Sequence, residues 1–216
     1  MTAFRSSPKV IHHPGDIAVA DSRGPCFDPV VMSAEPIPYV SVEDYLAGEL
    51  RSEVRHEYFD GFVTAMAGTS DRHEIVAGNL FGALLNHLRG KPCRPFVSGM
   101  KLRLRVRERD LFYYPDIMVA CQPTDNARYF REQPVLLGEV LSEDENKDLV
   151  EKYFAYQRIA ALDEYIVLSQ NPAQPEVQIF RRAEGWDAVE THSDPAAQFT
   201  LRSVGLTLTL GDLYVA

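Results

Sequence analysis

The sequence predicts a mixed α/β or α+β fold, in which helices pack on a β-sheet. Three observations support this fold class. Two short segments are apolar on both faces, as central strands are. One segment repeats apolar residues every three to four positions, as an amphipathic helix does. Two pairs of strand-like runs are joined by turn residues. The 216 residues suit one domain of ordinary size, or one domain with a tail.

The N-terminal region differs in composition from the rest of the chain. Residues 1–36 contain five prolines and no sustained periodicity, which predicts a poorly structured extension or a strap along the surface. We expect one folded domain over residues 37–216. This domain begins with a short helix that Ser41 caps and that runs to about Gly48, with acidic residues in its first turn.

A hairpin and a long helix are predicted next. The segment HEYFDGFVTAM indicates a β-hairpin with Asp60 and Gly61 as its two-residue turn. The helix that follows is capped by Ser70 or Asp71 and is ended near residue 90 by the sequence GKP. Its apolar residues form one stripe, made of Ala77, Leu80, Phe81, Leu84, Leu85 and Leu88.

The second half of the chain alternates strands with one more helix. MKLRLRVR alternates apolar and basic residues and predicts a strand with one solvated face. YYPDIMVA and PVLLGEVLS predict central strands, and a helical pattern follows between residues 144 and 160. EYIVLS predicts another strand, EVQIFRR and WDAVETH predict a second hairpin, and LTLTLGDLYV predicts a strand with a short helical turn.

The charge is unevenly distributed. A formal net charge of −9 argues by itself against a nucleic-acid partner, since affinity for phosphate comes largely from lysine and arginine. Seven basic residues and one acid, however, lie between residues 91 and 109, whereas eight acids and three basic residues lie between residues 139 and 164. The first segment can face an anion, and the second can hold a cation or be a solvated surface.

The cysteines and the hydropathy pattern indicate the compartment. Cys26, Cys93 and Cys121 are far apart and show neither zinc spacing nor a disulfide framework, which favours a reducing cytoplasm. No apolar run approaches the roughly 18 residues of a membrane span, and the N-terminus has no secretory signal pattern. We therefore expect a cytoplasmic protein without a membrane partner.

Three residues carry the candidate chemistry. Asp116 enters one predicted central strand, Glu139 lies within the next, and Lys152 follows on the helix. Burying a carboxylate in an apolar strand is costly unless a cation or hydrogen bonds compensate it. Two carboxylates on neighbouring strands can share a Mg²⁺ ion, and a lysine beside them can orient water or stabilise phosphoryl charge. Two alternatives stay open: backbone amides can cap Asp116, and Glu139 can form a buried salt bridge with Lys152.

The ordered segments PDIMVA, PVLLGEVLS, DLVEKYFAYQ and LDEYIVL resemble the Uma-type putative restriction endonuclease family. This family is a branch of the PD-(D/E)xK nuclease superfamily and was long catalogued as a domain of unknown function. The segments RHEYFDGFVTAMAGTSDRHEIVAGNLFGALLNHL and VGLTLTLGDLY extend the resemblance from about Val40 to Tyr214. It implies a restriction-endonuclease-like mixed sheet flanked by helices, with N-terminal and C-terminal hairpins.

The resemblance also implies a metal site. Asp116 and Glu139 match the metal ligands of the nuclease pattern, and the carbonyl of Val140 would be a further ligand of Mg²⁺, or of Mn²⁺ as its substitute. The superfamily motif has a lysine two residues after the glutamate, where this chain has Leu141. Lys152 matches the lysine on the following helix in this branch.

Further residues are weaker candidates. Glu57 matches an acidic position of the family and would bind a water or a second metal, although it can also simply face solvent. Lys101, Arg103 and Arg105 would hold nucleic-acid phosphates if their strand lines the cleft, but such a stripe is most often the wet face of a strand. His73 matches a recurrent histidine of the family without a firm role and is a further candidate for contact with nucleic acid, although a histidine near a helix start is more often a surface residue.

The resemblance thus implies a Mg²⁺-dependent DNA endonuclease that acts on double-stranded DNA as a homodimer, since cutting both strands favours two-fold symmetry. The alternative is a catalytically inactive member of the same fold that serves as a DNA-binding or protein-interaction module. The acidic net charge, Leu141 and the lack of a recognisable base-reading motif favour this alternative.

Overall fold

The structure of the protein is a computed structural model that describes residues 39–142 and 146–215, without the side chains of residues 146–149. The predicted extension over residues 1–36 lies outside the described residues, as do Cys26 and the predicted helix start at residue 144. The domain boundary at residue 37 stays a prediction.

Three α-helices and thirteen β-strands are present within the described residues. The helices are α1 (Val42–Glu49), α2 (Asp71–His87) and α3 (Asn146–Tyr156). The strands are β1 (His56–Phe59), β2 (Phe62–Ala65), β3 (Arg94–Val97), β4 (Lys101–Val106), β5 (Arg109–Tyr113), β6 (Ile117–Ala120), β7 (Phe130–Arg131), β8 (Pro134–Leu141), β9 (Glu164–Ser169), β10 (Val177–Arg181), β11 (Val189–His192), β12 (Gln198–Leu201) and β13 (Leu206–Thr209). Short 3-10 helices lie at Arg182–Glu184 and Leu210–Tyr214.

The strands form two sheets and a separate hairpin. One sheet has the order β2-β1-β5-β4-β7, the other has the order β11-β10-β9-β8-β6-β3, and β12 pairs with β13. The pairs β4–β7 and β8–β9 are parallel, and the other pairs are antiparallel. The predicted mixed α+β fold is therefore confirmed, and β1–β2 and β10–β11 are the two predicted hairpins.

The first long helix forms as its sequence predicts. The side chain of Ser70 accepts a hydrogen bond from the backbone N–H of His73 and so caps α2. Most of the predicted apolar stripe is buried and packs against β6, β8 and β9. Leu85 is the exception, because 43% of it is exposed; it lies on the solvent edge of the stripe.

The central strands β6 and β8 are buried on both faces. Ile117 lies in the core that α2 covers, whereas Met118 and Leu137 lie in a second core with Tyr156 of α3. Such strands consist almost wholly of apolar residues, since neither face meets water. The two acidic residues of these segments therefore sit where helices cover both sides of the sheet.

A glycine lets the sheet close tightly beside Glu139. Gly138 lies opposite Ile117 on one side and Ile166 on the other. A β-carbon at this position would approach Ile166 Cγ1 to 3.0 Å and Ile117 Cβ to 3.2 Å. Because these neighbours are side chains of adjoining core strands, glycine permits their close packing and fixes the path of β8 into Glu139.

A disulfide joins Cys93 to Cys121, contrary to the expectation from their spacing. β3 runs antiparallel to β6 with Arg94 opposite Ala120, so the two cysteines just beyond this pair also face each other. Because the two cysteines are 28 residues apart in the sequence, their proximity cannot be predicted without knowing the strand order. Disulfides are rare in a reducing cytoplasm, so the cysteines no longer support a cytoplasmic location. Within residues 39–142 and 146–215, no helix has the length and apolarity needed to cross a membrane.

The basic residues of β4 do not share one solvated face, which corrects the sequence prediction. Lys101 is buried, with its ammonium 5.3 Å from the centre of the Tyr114 ring. Arg103 is half-buried and forms an ion pair of 2.9 Å with Asp110. The cause is packing on this face of the sheet: Lys101 lies on Tyr114, whose hydroxyl donates a hydrogen bond to Glu49 of α1, and Arg103 lies over the rings of Phe112 and Phe130. Arg105, farther along, is exposed.

Candidate active site

An open cavity of about 890 Å³ brings the candidate residues together. It is lined by residues 64–73, which run from β2 into the first turn of α2, and by Glu57, Tyr114, Asp116, Glu139, Ser142, Lys152 and Gln170. The first sheet contributes β1 and β2, and the second sheet contributes the ends of β6, β8 and β9. A pocket of this size fits the range of ligand-binding clefts.

Asp116 precedes β6 and is fixed from two sides. Its Oδ2 accepts a hydrogen bond of 2.8 Å from the backbone N–H of Val140 and lies 3.0 Å from Nε2 of His73. His73 Nε2 donates this bond when it carries the ring proton. The capping by a backbone amide that the sequence left open is thus present, and it holds the carboxylate at the cavity wall. Val140 is fixed through its N–H, whereas its carbonyl as a metal ligand stays a prediction.

Glu139 lies within β8 and is nearly fully buried. The hydroxyl of Tyr156 donates a hydrogen bond of 2.8 Å to Glu139 Oε1. Burial raises the pKa of Glu139 to about 8, while the Lys152 ammonium lowers it and the Asp116 carboxylate raises it. Burial also raises the pKa of Tyr156 well above its usual value, so Tyr156 keeps its proton and remains the donor.

Lys152 brings a cation to the same cavity. Its Nζ lies 3.2 Å from Oε1 of Glu57, which reaches in from β1. The buried lysine also lies over the Tyr113 ring, with 5.9 Å between Nζ and the ring centre. The structure therefore unites Glu57, Lys152 and the two predicted metal ligands, although these four residues come from four separate stretches of the chain.

The residues predicted to contact nucleic acid lie in different places in the structure. His73 is buried against Asp116 and is not the surface residue that its position near a helix start suggested. Lys101 and Arg103 do not line the cavity, and Arg105 lines a separate one. His73 lines the candidate active site and bonds Asp116, and its expected contact with nucleic acid stays a prediction.

Sequence reasoning missed several residues of this site. Tyr156 is one of them, because its hydroxyl donates a hydrogen bond to Glu139. Ser142 and Gln170 immediately follow the parallel strands β8 and β9, and both line the cavity. The carboxyl ends of parallel strands meet at one edge of a sheet, where ligands commonly bind. Knowledge that β8 and β9 are parallel would have identified these two residues.

The donor set fits a hard divalent cation. Within the described residues, the side-chain hydrogen bonds of Asp116 and Glu139 all use Asp116 Oδ2 and Glu139 Oε1. Asp116 Oδ1 and Glu139 Oε2 therefore make none there, and both residues line the cavity. In the part of the chain that the structure describes, no three His, Cys, Asp or Glu side chains are arranged to hold a metal. Mg²⁺ is commonly held by one or two carboxylates with water and substrate phosphate, so this pair would suffice.

The raised pKa of Glu139 predicts a pH-dependent stability of the metal-free protein. Between the usual carboxyl value of 4.5 and about 8 the folded state keeps a proton that the unfolded state releases. The free energy of unfolding should therefore fall as pH rises through this window. Glu139→Gln lacks the titrating group. Urea denaturation in EDTA at about pH 5 and about pH 8 should show a smaller loss in this variant than in the wild type. Parallel losses in the two proteins would contradict the assignment.

The mixed sheets, with a cavity lined by Asp116, Glu139 and Lys152, define a protein with a nuclease-like fold. A family model described as "Uma2: Putative restriction endonuclease" matches residues 42–211, and the chain belongs to this family. The predicted family is thus confirmed.

Comparison with known proteins agrees. The crystal structure of "a putative nuclease belonging to DUF820" from Anabaena variabilis superposes with a TM-score of 0.64 at 17% identity, covering 81% of this chain and 97% of that one, which shows a shared fold. Uncharacterized protein slr1290 of Synechocystis sp. is 29% identical over 181 residues, covering 83% of this chain and 93% of the relative. Uncharacterized protein sll1609 of the same organism is 30% identical over 135 residues, covering 61% and 75%.

Proposed function

We propose that the protein is a Mg²⁺-dependent endonuclease that hydrolyses phosphodiester bonds of DNA. One observation carries the proposal: Asp116 and Glu139 line one open cavity, each with an oxygen that no described residue hydrogen-bonds, beside the buried cation Lys152. Membership of a family named for restriction endonucleases supports a nucleic-acid substrate. Mn²⁺ would substitute for Mg²⁺, since both accept oxygen ligands.

The residues of the chain would act mainly by position and charge. The Val140 N–H and His73 hold Asp116, and Tyr156 holds Glu139, so that neither carboxylate must reorganise when substrate binds. A bound Mg²⁺ would polarise the scissile phosphate and lower the pKa of a water. Lys152, anchored by Glu57, would stabilise negative charge on the phosphoryl oxygens or orient the water.

Hydrolysis of the phosphodiester would form one bond to phosphorus and break another. The water oxygen bonds to phosphorus, the bond from phosphorus to the 3′ oxygen breaks in line with it, and a proton from the water ends on the 3′ oxygen. The products carry a 5′-phosphate and a 3′-hydroxyl, as the family resemblance implies.

Cleavage of supercoiled plasmid tests the proposal. The wild type should nick and linearise the plasmid with Mg²⁺ and leave it intact in EDTA. The isosteric variants Asp116→Asn and Glu139→Gln should be at least about 100-fold slower. Asp71→Asn is the matched control, because Asp71 lines the cavity but is exposed and forms part of the first turn of α2. Equal rates in all four proteins, or equal cleavage in EDTA, would overturn the assignment.

A non-catalytic role on the same scaffold is the second candidate. Its support is that Leu141 occupies the motif position of the lysine, while the ion pair between Lys152 and Glu57 could serve structure alone. Metal titration separates the candidates. For a nuclease, Mg²⁺ or Mn²⁺ should raise the melting temperature of the wild type by mass action, and Glu139→Gln should lose this shift. No shift, together with no cleavage and retained DNA binding, would establish the second candidate.

Two further properties belong to the proposal. Cutting both strands of a duplex favours a two-fold homodimer, which light scattering on the purified protein would detect. A DNA substrate favours a cytoplasmic location, although the disulfide between Cys93 and Cys121 gives it no support.

A further inference from the structure

A second cavity, of about 770 Å³, lies outside the candidate active site. The β4–β5 hairpin and α3 form its walls. It is lined by four arginines and by exposed aromatic rings, namely Arg105, Arg107, Arg109, Arg158, Phe154 and Phe59. We name it the arginine cavity.

The arginine cavity is strongly positive on an acidic protein. Among the residues whose side chains the structure describes, Glu151 is the one acid in its lining, and it accepts a hydrogen bond of 3.2 Å from the Tyr113 hydroxyl. Arg109 is partly neutralised by Asp60, 3.3 Å away. Within residues 39–142 and 146–215 the other three arginines form no ion pair. Unpaired guanidinium groups gathered around a cleft attract phosphate, which they can bind in a bidentate manner.

The aromatic lining indicates more than phosphate binding. The ring of Phe154 is 59% exposed and that of Phe59 is 39% exposed, although phenylalanine is usually buried. Nucleic-acid bases stack on exposed rings when a basic groove holds the backbone, and this combination is typical of single-strand binding. A duplex keeps its bases stacked on each other, so duplex DNA would use the arginines but not the ring.

The hairpin turn keeps a costly conformation at the rim. Arg107 and Glu108 form the two-residue turn between β4 and β5 with φ angles of 49° and 69°. Such turns favour Asn-Gly because both residues are left-handed. Side chains other than glycine and asparagine pay for this conformation, and such outliers cluster at ligand-binding positions. Although glycine would fit the turn better, Arg107 in this position lines the arginine cavity.

α3 links the arginine cavity to the candidate active site. Glu151, Phe154 and Ala155 line the arginine cavity at spacings of three and four, and Arg158 follows in the turn after the helix. Lys152 and Tyr156, four residues apart on another face, serve the active site. Tyr113 lies between the two, since it lines the arginine cavity and its ring is 5.9 Å from Lys152 Nζ. A nucleic-acid strand bound in the arginine cavity would therefore lie close to the candidate active site.

We propose that the arginine cavity binds an unpaired segment of the nucleic-acid substrate, with phosphates on Arg105, Arg107 and Arg158 and a base against Phe154. The proposal rests on the proposed function for the identity of the substrate. Binding itself requires no cleavage, so it can be measured with the metal removed.

Fluorescence anisotropy in EDTA tests the proposal. The probes are a labelled single-stranded oligodeoxynucleotide of about 12 nucleotides and a blunt hairpin duplex of equal charge. The variants are Arg105→Gln, Arg158→Gln, Phe154→Ser and the ring-retaining Phe154→Tyr. Arg89→Gln is the matched control, because Arg89 is exposed beyond α2 and contacts Asn86.

We expect each arginine variant to weaken single-strand binding about tenfold and to reduce the slope of log K against log salt by about 0.7. Phe154→Ser should weaken it similarly, whereas Phe154→Tyr and Arg89→Gln should bind as the wild type does. Unchanged binding and slope in the arginine variants would overturn the proposal. Equal losses for the duplex, with no effect of Phe154→Ser, would also overturn it in favour of duplex binding.

This result is separable from the proposed function. If Asp116→Asn abolishes cleavage while the arginine variants bind normally, the proposed function is supported and the proposal for the arginine cavity is contradicted. If the arginine variants lose binding while no Mg²⁺-dependent cleavage is found, the proposal for the arginine cavity is supported and the proposed function is contradicted.

Discussion

Replacing Lys152 with methionine should slow Mg²⁺-dependent cleavage of DNA by about 10²- to 10³-fold, the loss typical for removing one group that stabilises transition-state charge. Lys152 is the cation that the structure places beside Glu139 and Asp116, and it lowers the pKa of Glu139. Methionine keeps an unbranched apolar chain against the Tyr113 ring, so the packing is largely retained while the charge is lost.

The readouts must separate chemistry from folding. The loss should appear in kcat, with KM for DNA little changed. Because the variant removes one partner of a buried ion pair, its melting temperature should fall, and circular dichroism at the assay temperature must show that it is folded. Glu57→Gln, which weakens the anchor of Lys152, should cause a smaller loss and should shift the pH dependence of the rate. Cleavage by Lys152→Met at the wild-type rate would show that Lys152 only stabilises the sheet, and that the departure at Leu141 has no compensation on α3.

Glu164→Ala should cause the largest loss of stability, about 3–5 kcal/mol. Glu164 is 1% exposed, and Arg181, which donates to its Oε1 at 2.8 Å, is 2% exposed. The same carboxylate accepts hydrogen bonds from the backbone N–H groups of Arg202 and Ser203 and from the Ser203 hydroxyl. Alanine would leave these donors buried without an acceptor and would leave Arg181 with its remaining acidic partners at the edge of the sheet.

An exposed ion pair provides the matched control. Arg202 lies 2.8 Å from Glu184 but its side chain is mostly exposed, so Arg202→Gln should cost about 0–1 kcal/mol. Urea denaturation gives both free energies, and the melting temperature of Glu164→Ala should fall by about 10 °C. A loss similar to that of the control would show that the buried carboxylate contributes little to the stability of this sheet.

The physical cost of burying charge is what made the site predictable. Asp116 and Glu139 stood out because carboxylates interrupted segments that otherwise read as fully buried strands, and the structure does enclose them between α2 and α3. Local patterns likewise predicted the turn at Asp60 and Gly61 and the cap at Ser70. Each of these features depends on residues close together in the chain.

Features that depend on strand order were not predictable in this way. The pairing of Cys93 with Cys121 follows from β3 lying antiparallel to β6. Lys101 is buried against Tyr114, whose hydroxyl bonds Glu49 of α1, and no periodicity could reveal this contact. The contact between His73 and Asp116 joins residues 43 positions apart. Periodicity identifies which face of an element is apolar, but it does not identify the neighbour that covers that face.

Lys152 of α3 lines the candidate active site and Phe154 of the same helix lines the arginine cavity, so one helix connects the two cavities. A small rotation of this helix about its axis would move the ammonium and the exposed ring together. On the proposed function, a ligand held against Phe154 would then change the position of Lys152 relative to Asp116 and Glu139.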